Sequence, residues 1–266
     1  MPFEAHPLAL LEERHVERCE DLPDEPAPGN YVVVDVLHFS NTVLELFHNG
    51  AEYVHVTDSR GDEFDFREEH PEARLGGGST PAYEPTDGYD FFNSPSYVQS
   101  VDVEGRPVAM TSTNGGRAVT RLRESGGDDV EVYVGSTMNA AALGRHLREL
   151  EAPTYLVSAG SSGDLAAEDH IGAILVGRYL RGIPPTEPEL TVFREHLWVA
   201  KGPEYVHKHE LRRRDVLEYA LAVDSSDVIP RLVGRRLVDV GPGSDDLTTS
   251  DARTGTDAER EANTGK

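Results

Sequence analysis

The sequence predicts an α/β protein of three layers, αβα, with helices on both faces of a mostly parallel sheet. Three observations carry this. Apolar runs of strand length alternate with stretches of helical periodicity. The junctions between them are short and rich in Gly, Ser, Thr and Asn. The strand–loop–helix plan recurs three times in a row after Arg106, which in a parallel sheet brings the three loops to one edge.

Taken in order, Leu8–Glu20 is expected to form a short helix and Leu22–Asn30 a turn-rich lead-in. Tyr31–Leu37, YVVVDVL, reads as a buried strand, Phe39–Asn49 as its helix and Glu52–Thr57 as a second strand. Asp58–Tyr89 is polar and holds Gly76, Gly77, Gly78, Pro81 and Pro85, so it reads as a loop-rich insertion with one helix near Asp62–His70. Asn93 and Ser94 precede Pro95, as in a turn whose side chains bond locally. Arg106–Glu124 is strand, glycine turn and helix. Val130–Val134 and Ala140–Leu150 repeat that plan, as do Thr154–Val157 and Ala166–Arg181. Beyond a turn-rich crossing, Leu190–Val199 suits a short helix, Val206–Val223 an Arg-rich amphipathic helix and Val228–Val240 a helix-to-strand finish. A single domain over residues 1–240 is expected, followed by a disordered polar tail over 241–266.

Composition narrows the function. The 266 residues carry a formal charge of −23, with 48 acidic against 25 basic residues. Lysine occurs only as Lys201, Lys208 and Lys266. Acid spread along the whole chain suits a solvated surface in a salt-rich cytoplasm. It repels nucleic acid and anionic membrane, so neither is an expected partner. An anionic substrate then needs a local reversal of sign from a metal ion, Arg or helix N-termini. Cys19 is the lone cysteine, which excludes an internal disulfide and a cysteine-based metal cluster. No apolar run approaches the roughly 18–20 residues of a membrane span, and Met1–Ala5 lacks a signal peptide's basic start. A soluble, cytoplasmic protein is expected.

The loop Thr111–Gly116, TSTNGG, opens a helix, where backbone N–H groups and the helix dipole favour an oxyanion. An ordinary capped βα loop has the same look. Gly135–Asn139 and Ser158–Asp164 repeat the chemistry, and three such loops on one edge point to an anion site. Asp35 is the sole charged residue of YVVVDVL. A strand seldom buries a carboxylate without a partner, so Asp35 either caps or bonds a neighbouring loop or serves as a metal ligand or acid at the sheet's carboxyl edge. Glu168 and Asp169 open the last of the three helices, where acids also simply suit the dipole. Oxygen-only donors at that edge fit Mg²⁺. His207 and His209 sit in a charged stretch and read as surface rather than as zinc ligands.

These motifs resemble the 2-phosphosulfolactate phosphatases of coenzyme M biosynthesis. The resemblance rests on Val32–Leu37 (VVVDVL), Gly88–Pro95 (GYDFFNSP), Thr111–Val119 (TSTNGGRAV), Gly135–Leu143 (GSTMNAAAL), Ser158–Ala173 and Ala222–Pro230 (AVDSSDVIP). It covers nearly all of Tyr31–Val240 and implies an α/β, Mg²⁺-dependent phosphatase acting on a small sulfonated hydroxy acid. The expected metal ligands are Asp35 with Glu168 or Asp169. Asn114 and Ser158 join Asp35 and Asp169 as candidate catalytic residues. Thr113, Gly115, Ser136, Asn139 and Gly160, with Asn93 and Ser94, are candidates to hold the substrate, a small anionic phosphate ester. Three departures stand out. His38 replaces an Arg of the family pattern, Gly78–Ala82 replaces a Gly-Glu-Arg-Gly-Gly segment, and Ser158 replaces a cysteine. Lost Arg groups suited to bidentate anion contacts leave open a different small substrate, or binding without turnover. A homodimer is expected, partly from the resemblance and partly from the scattered late apolar segments.

Overall fold

The computed structural model describes residues 14–205 and 207–242. Their strands form one 10-stranded sheet: β1 (His15–Val16), β2 (Gly29–Val34), β3 (Tyr53–Val56), β4 (Arg74–Gly77), β5 (Phe91–Phe92), β6 (Pro107–Met110), β7 (Val130–Gly135), β8 (Thr154–Ser158), β9 (Pro230–Val233) and β10 (Arg236–Asp239). The spatial order is β1-β8-β2-β7-β9-β10-β3-β6-β4-β5. Strands β1, β8, β2 and β7 form one parallel half, and β3, β6, β4 and β5 another. The antiparallel hairpin β9-β10 joins them, pairing with β7 on one side and β3 on the other.

The helices are α1 (Phe39–His48), α2 (Asp62–Glu69), α3 (Pro95–Val98), α4 (Gly115–Ser125), α5 (Ala140–Arg148), α6 (Ala167–Leu180), α7 (Glu187–Tyr205) and α8 (Glu210–Arg214). The alternation of β2 places them. Tyr31 and Val33 point to one face, into a cluster with Val43 and Leu46 of α1 and Val119 and Leu122 of α4. Val32 and Val34 point to the other, against Leu143 and Leu147 of α5 and Leu175 and Val176 of α6. Both faces of a central strand are thereby covered, which gives the expected three layers. Each such fully buried aliphatic side chain contributes about 1.5–3 kcal/mol relative to exposure. Close approach of α5 to α6 depends on Gly144, where a Cβ would lie 2.5 Å from Tyr179 Cβ and 2.8 Å from the Val176 carbonyl.

Five expectations are corrected. The described part of Leu8–Glu20 is no helix; it holds β1 and a 3-10 turn at Cys19–Asp21, and residues 8–13 lie outside the described residues. The insertion before Tyr89 contains a strand, β4, whose glycines hide it from propensity; Phe91 and Tyr89 rings cover the faces of Gly76 and Gly77. The expected helix over Val206–Val223 is short, α8 running straight into a π-helical turn at Asp215–Ala220. Val228–Val240 holds two strands turning at Gly234, with φ +60, rather than a helix then a strand. The helix expected at Leu190–Val199 is longer, reaching Tyr205. Of the polar tail, residues 243–266 lie outside the described residues.

Candidate active site

Asp35 is the first residue beyond β2, at the carboxyl edge of the sheet. Its carboxylate spans the starts of two helices. Oδ2 accepts the Gly115 N–H of α4 at 2.9 Å, and Oδ1 accepts the Phe39 N–H of α1 at 3.4 Å. These are donors that no intrahelical carbonyl satisfies. Glycine is required at 115 by this approach, since a Cβ there would lie 2.8 Å from Asp35 Oδ2 and 2.6 Å from Phe39 Cδ1.

Asp169, in the first turn of α6, mirrors this from the other face of the sheet. Its Oδ1 accepts the Val36 N–H at 2.8 Å, and its Oδ2 accepts the Gly160 N–H at 3.1 Å. The neighbouring Glu168 lies with Oε1 3.8 Å from Lys201 Nζ of α7, and its buried Oε2 has no hydrogen-bond partner. All three acids are buried. Burial pushes the Asp35 carboxyl up to about 6, against the pull of its two backbone donors, and the charge of Glu168 adds to the rise. Burial, then the charges of Asp35 and Glu168, hold Asp169 well above the usual carboxylate range. Burial raises Glu168 as well. Burial is the first cause of the rise at each of the three carboxyls.

A group of cations stands beside them. His38, just before α1, is buried and stacks on the Tyr205 ring at 5.5 Å. Lys208 Nζ lies 4.5 Å from the centre of that ring and Lys201 Nζ 6.0 Å. Burial first, then the charges of Arg212, Lys208 and Lys201, hold the His38 imidazole well below its ordinary value, so it is neutral. Arg212 of α8 is fixed by its Nη1, which donates to the Asn93 carbonyl and to Asp215 Oδ2, both at 3.0 Å. Asp215 is fully buried and also accepts the Ser94 hydroxyl at 2.8 Å and the Ser96 N–H at 3.0 Å.

The other expected site residues divide. Gly115 and Gly160 supply backbone donors to the two aspartates, as described. Asn114 is half-buried and accepts the Ser162 N–H at 3.2 Å, tying the loop after β6 to the loop after β8; Thr113 beside it is exposed. Ser94 and Asn93 hold the Asp215–Arg212 pair in place, and the buried Asn93 Oδ1 has no partner.

Ser136 and Asn139, expected to hold substrate, are fully buried and bonded within the protein. Asn139 Oδ1 accepts the Ser136 N–H at 2.8 Å, and its amide donates to the Val134 and Val228 carbonyls. Both of its N–H groups are consumed, and the Ser136 hydroxyl donates to Asn41. Ser158 is fully buried, with its hydroxyl 2.9 Å from His15 Nε2; it pairs with that histidine, not with an acid.

Sequence reasoning missed Tyr205, Arg212 and Asp215 altogether. The scarcity of lysine was a usable signal for the rest, because both lysines of the described residues flank Tyr205.

A family model described as 2-phosphosulpholactate phosphatase matches residues 16–235. Among curated relatives, a protein of Symbiobacterium thermophilum is 34% identical over 163 residues, covering 60% of this chain and 67% of its own. One of Deinococcus radiodurans is 32% identical over 164 residues, covering 61% and 66%. One of Gloeobacter violaceus is 26% identical over 219 residues, covering 79% and 91%. Each is named "Probable 2-phosphosulfolactate phosphatase". The matched span runs from β1 to the turn of the β9-β10 hairpin and contains every acid and cation of the site. The chain belongs to the 2-phosphosulpholactate phosphatase family.

Proposed function

We propose that this protein is a phosphoric monoester hydrolase that cleaves phosphosulfolactate to sulfolactate and phosphate. One observation carries the reading beyond the family match: the buried trio Asp35, Glu168 and Asp169 at the carboxyl edge, with Asp35 held by backbone donors at the starts of α1 and α4 and Asp169 by those of Val36 and Gly160. In the reaction water adds its oxygen to phosphorus, the ester P–O bond breaks, and the departing alkoxide gains a proton. A carboxyl pushed up to about 6 is partly protonated near neutral pH and suits proton transfer to or from those oxygens. The helix starts and the Asn114 loop supply fixed dipoles for the phosphoryl oxygens, the positioning that phosphoryl transfer chiefly needs.

The donor set suits Mg²⁺. Its atoms are hard carboxylate oxygens, Glu168 Oε2 is buried without a partner, and a dication relieves the mutual repulsion of the three acids. Asp35 and Asp169 each keep lone pairs beyond those given to backbone N–H groups. Among the described residues, no three His, Cys, Asp or Glu side chains already converge as a metal cluster. The proposed ion would be held by one or two carboxylates, waters and substrate phosphate. When bound, Mg²⁺ would neutralise phosphate charge and polarise the P–O bond. The test is phosphate release in high salt from a panel of small phosphate esters, with Mg²⁺ and with chelator. Release from phosphosulfolactate that chelator abolishes is expected; release from no ester at all would refute the enzyme reading.

The same proposal places the protein in a salt-rich cytoplasm. Among the described residues, no helix is long and apolar enough to cross a membrane. It also makes the protein a homodimer. Val192 and Val199 of α7 are exposed, Val199 at 72%, beside Trp198, an apolar stripe that a second copy would cover. Light scattering in molar salt should give the dimer mass, and a monomer mass alone would overturn the assignment.

A further inference from the structure

Phosphoryl chemistry at the three acids leaves the neighbouring cations without a role. A chain of charge −23 repels any polyanion over most of its surface, yet both lysines of its described residues stand over one tyrosine ring, with Arg212 close by. Each cation also faces a carboxylate: Lys201 faces Glu168 at 3.8 Å, Lys208 faces Glu204, and Arg212 faces Asp215 at 3.0 Å. Those contacts use only part of their donor capacity. Lysine has three N–H donors and arginine five. Among the described residues, Arg212 Nε and Nη2 have no hydrogen-bond partner, its guanidinium lying against the Phe92 and Tyr83 rings at 5.3 and 5.6 Å. A second, independent observation points to a ligand here. His38 Nε2 is buried, neutral and without a hydrogen-bond partner, its nearest charged oxygen being Asp215 Oδ2 at 3.5 Å. A buried polar atom of this kind costs free energy unless something bonds it. Spare cationic donors over an aromatic floor, next to a vacant imidazole nitrogen, make a small anion site adjoining the acids through the Lys201–Glu168 contact.

We propose that Lys201, Lys208 and Arg212, gathered around Tyr205 and His38, hold a second anionic group of the substrate. The site thereby selects phosphate esters that carry a further acid group. This rests on the phosphatase reading and adds to it the residues that set specificity. Lysine and arginine here do complementary work. Arg212 offers a planar fork for a carboxylate or sulfonate, and the lysines offer point charges that tolerate either geometry.

The test uses the full chain at one fixed salt concentration, as wild type, Lys208→Gln and Lys208→Arg. Lys208 is chosen because its only described ion pair is with Glu204, one helical turn away, so Lys208→Gln is expected to fold; a thermal melt checks this. Two readouts are taken. The first is kcat/KM for phosphosulfolactate divided by that for an alkyl phosphate of equal length without acid groups. The second is calorimetric binding of sulfolactate. The ratio should fall about tenfold in Lys208→Gln through KM, sulfolactate binding should weaken by a similar factor, and Lys208→Arg should restore most of both. A loss that falls equally on both esters, or no change in either readout, would overturn the second-anion site while leaving the phosphatase reading standing. If wild type cleaves neither ester but binds sulfolactate through Lys208, the anion site stands and the phosphatase reading fails. If it neither cleaves nor binds, both fail.

Discussion

Replacing Asp35 by asparagine is expected to lower phosphate release by at least about 100-fold while the protein stays folded. The new side chain keeps one carbonyl oxygen, enough for either Gly115 or Phe39, and turns an amide N–H₂ toward the other donor. That loses about 1 kcal/mol of hydrogen bonding. Removing a buried charge and its repulsion with Asp169 and Glu168 offsets the loss, so the melting temperature should barely move. The pH dependence follows with its sign. In the metal-free protein the native Asp35 carboxyl holds its proton up to about 6, whereas the unfolded chain releases it near the ordinary value of 3.8. Between those values the native state binds more protons, so wild-type stability falls as pH rises, and the slope should be shallower in the variant. Turnover measured across a Mg²⁺ titration, beside a thermal melt, decides the matter. Near-normal turnover in a folded Asp35→Asn protein would end the metal-ligand assignment.

The largest loss of stability is expected at Asp215→Ala. This carboxylate is fully buried and gathers the Ser94 hydroxyl, the Ser96 N–H and Arg212 Nη1. Its removal strands three donors and leaves a mostly buried guanidinium without its counter-charge. Breaking a buried pair in this way costs about 3–5 kcal/mol. Asp215→Asn keeps one acceptor and should lose less, about 1–2 kcal/mol. Urea titration of the two variants measures the difference. A shift below about 1 kcal/mol for Asp215→Ala would show that α8 and the Ser94 turn are held by something else.

What was legible in the sequence follows from the range of the interactions involved. Strand β2 and its helix α1 were readable because an apolar run and a helical period are local signals. Asp35 was readable because a single charge in a valine run has few explanations. Glycine-bearing β4 was not, since its strand character comes from β6 on one side and β5 on the other. Nor was the role of Asn139, whose side chain is spent on the Val134 and Val228 carbonyls, the latter 89 residues away. The Ser94–Asp215 bond joins residues 121 apart, and no periodicity reports such a contact. Lys201 and Lys208 read in the sequence only as scarce lysines, and it is the fold that sets both against the Tyr205 ring.

The hairpin β9-β10 carries a consequence for how the molecule comes to exist. It lies between β7 and β3, so among the described residues the last strands made are those that join the two halves of the sheet. During synthesis everything up to α8 can leave the ribosome with the inner borders of β7 and β3 still bare, each presenting backbone N–H and C=O groups that would welcome a strand from another chain. The surplus of negative charge then serves a second purpose. It keeps nascent copies apart through the interval in which their unfinished sheets would otherwise join edge to edge.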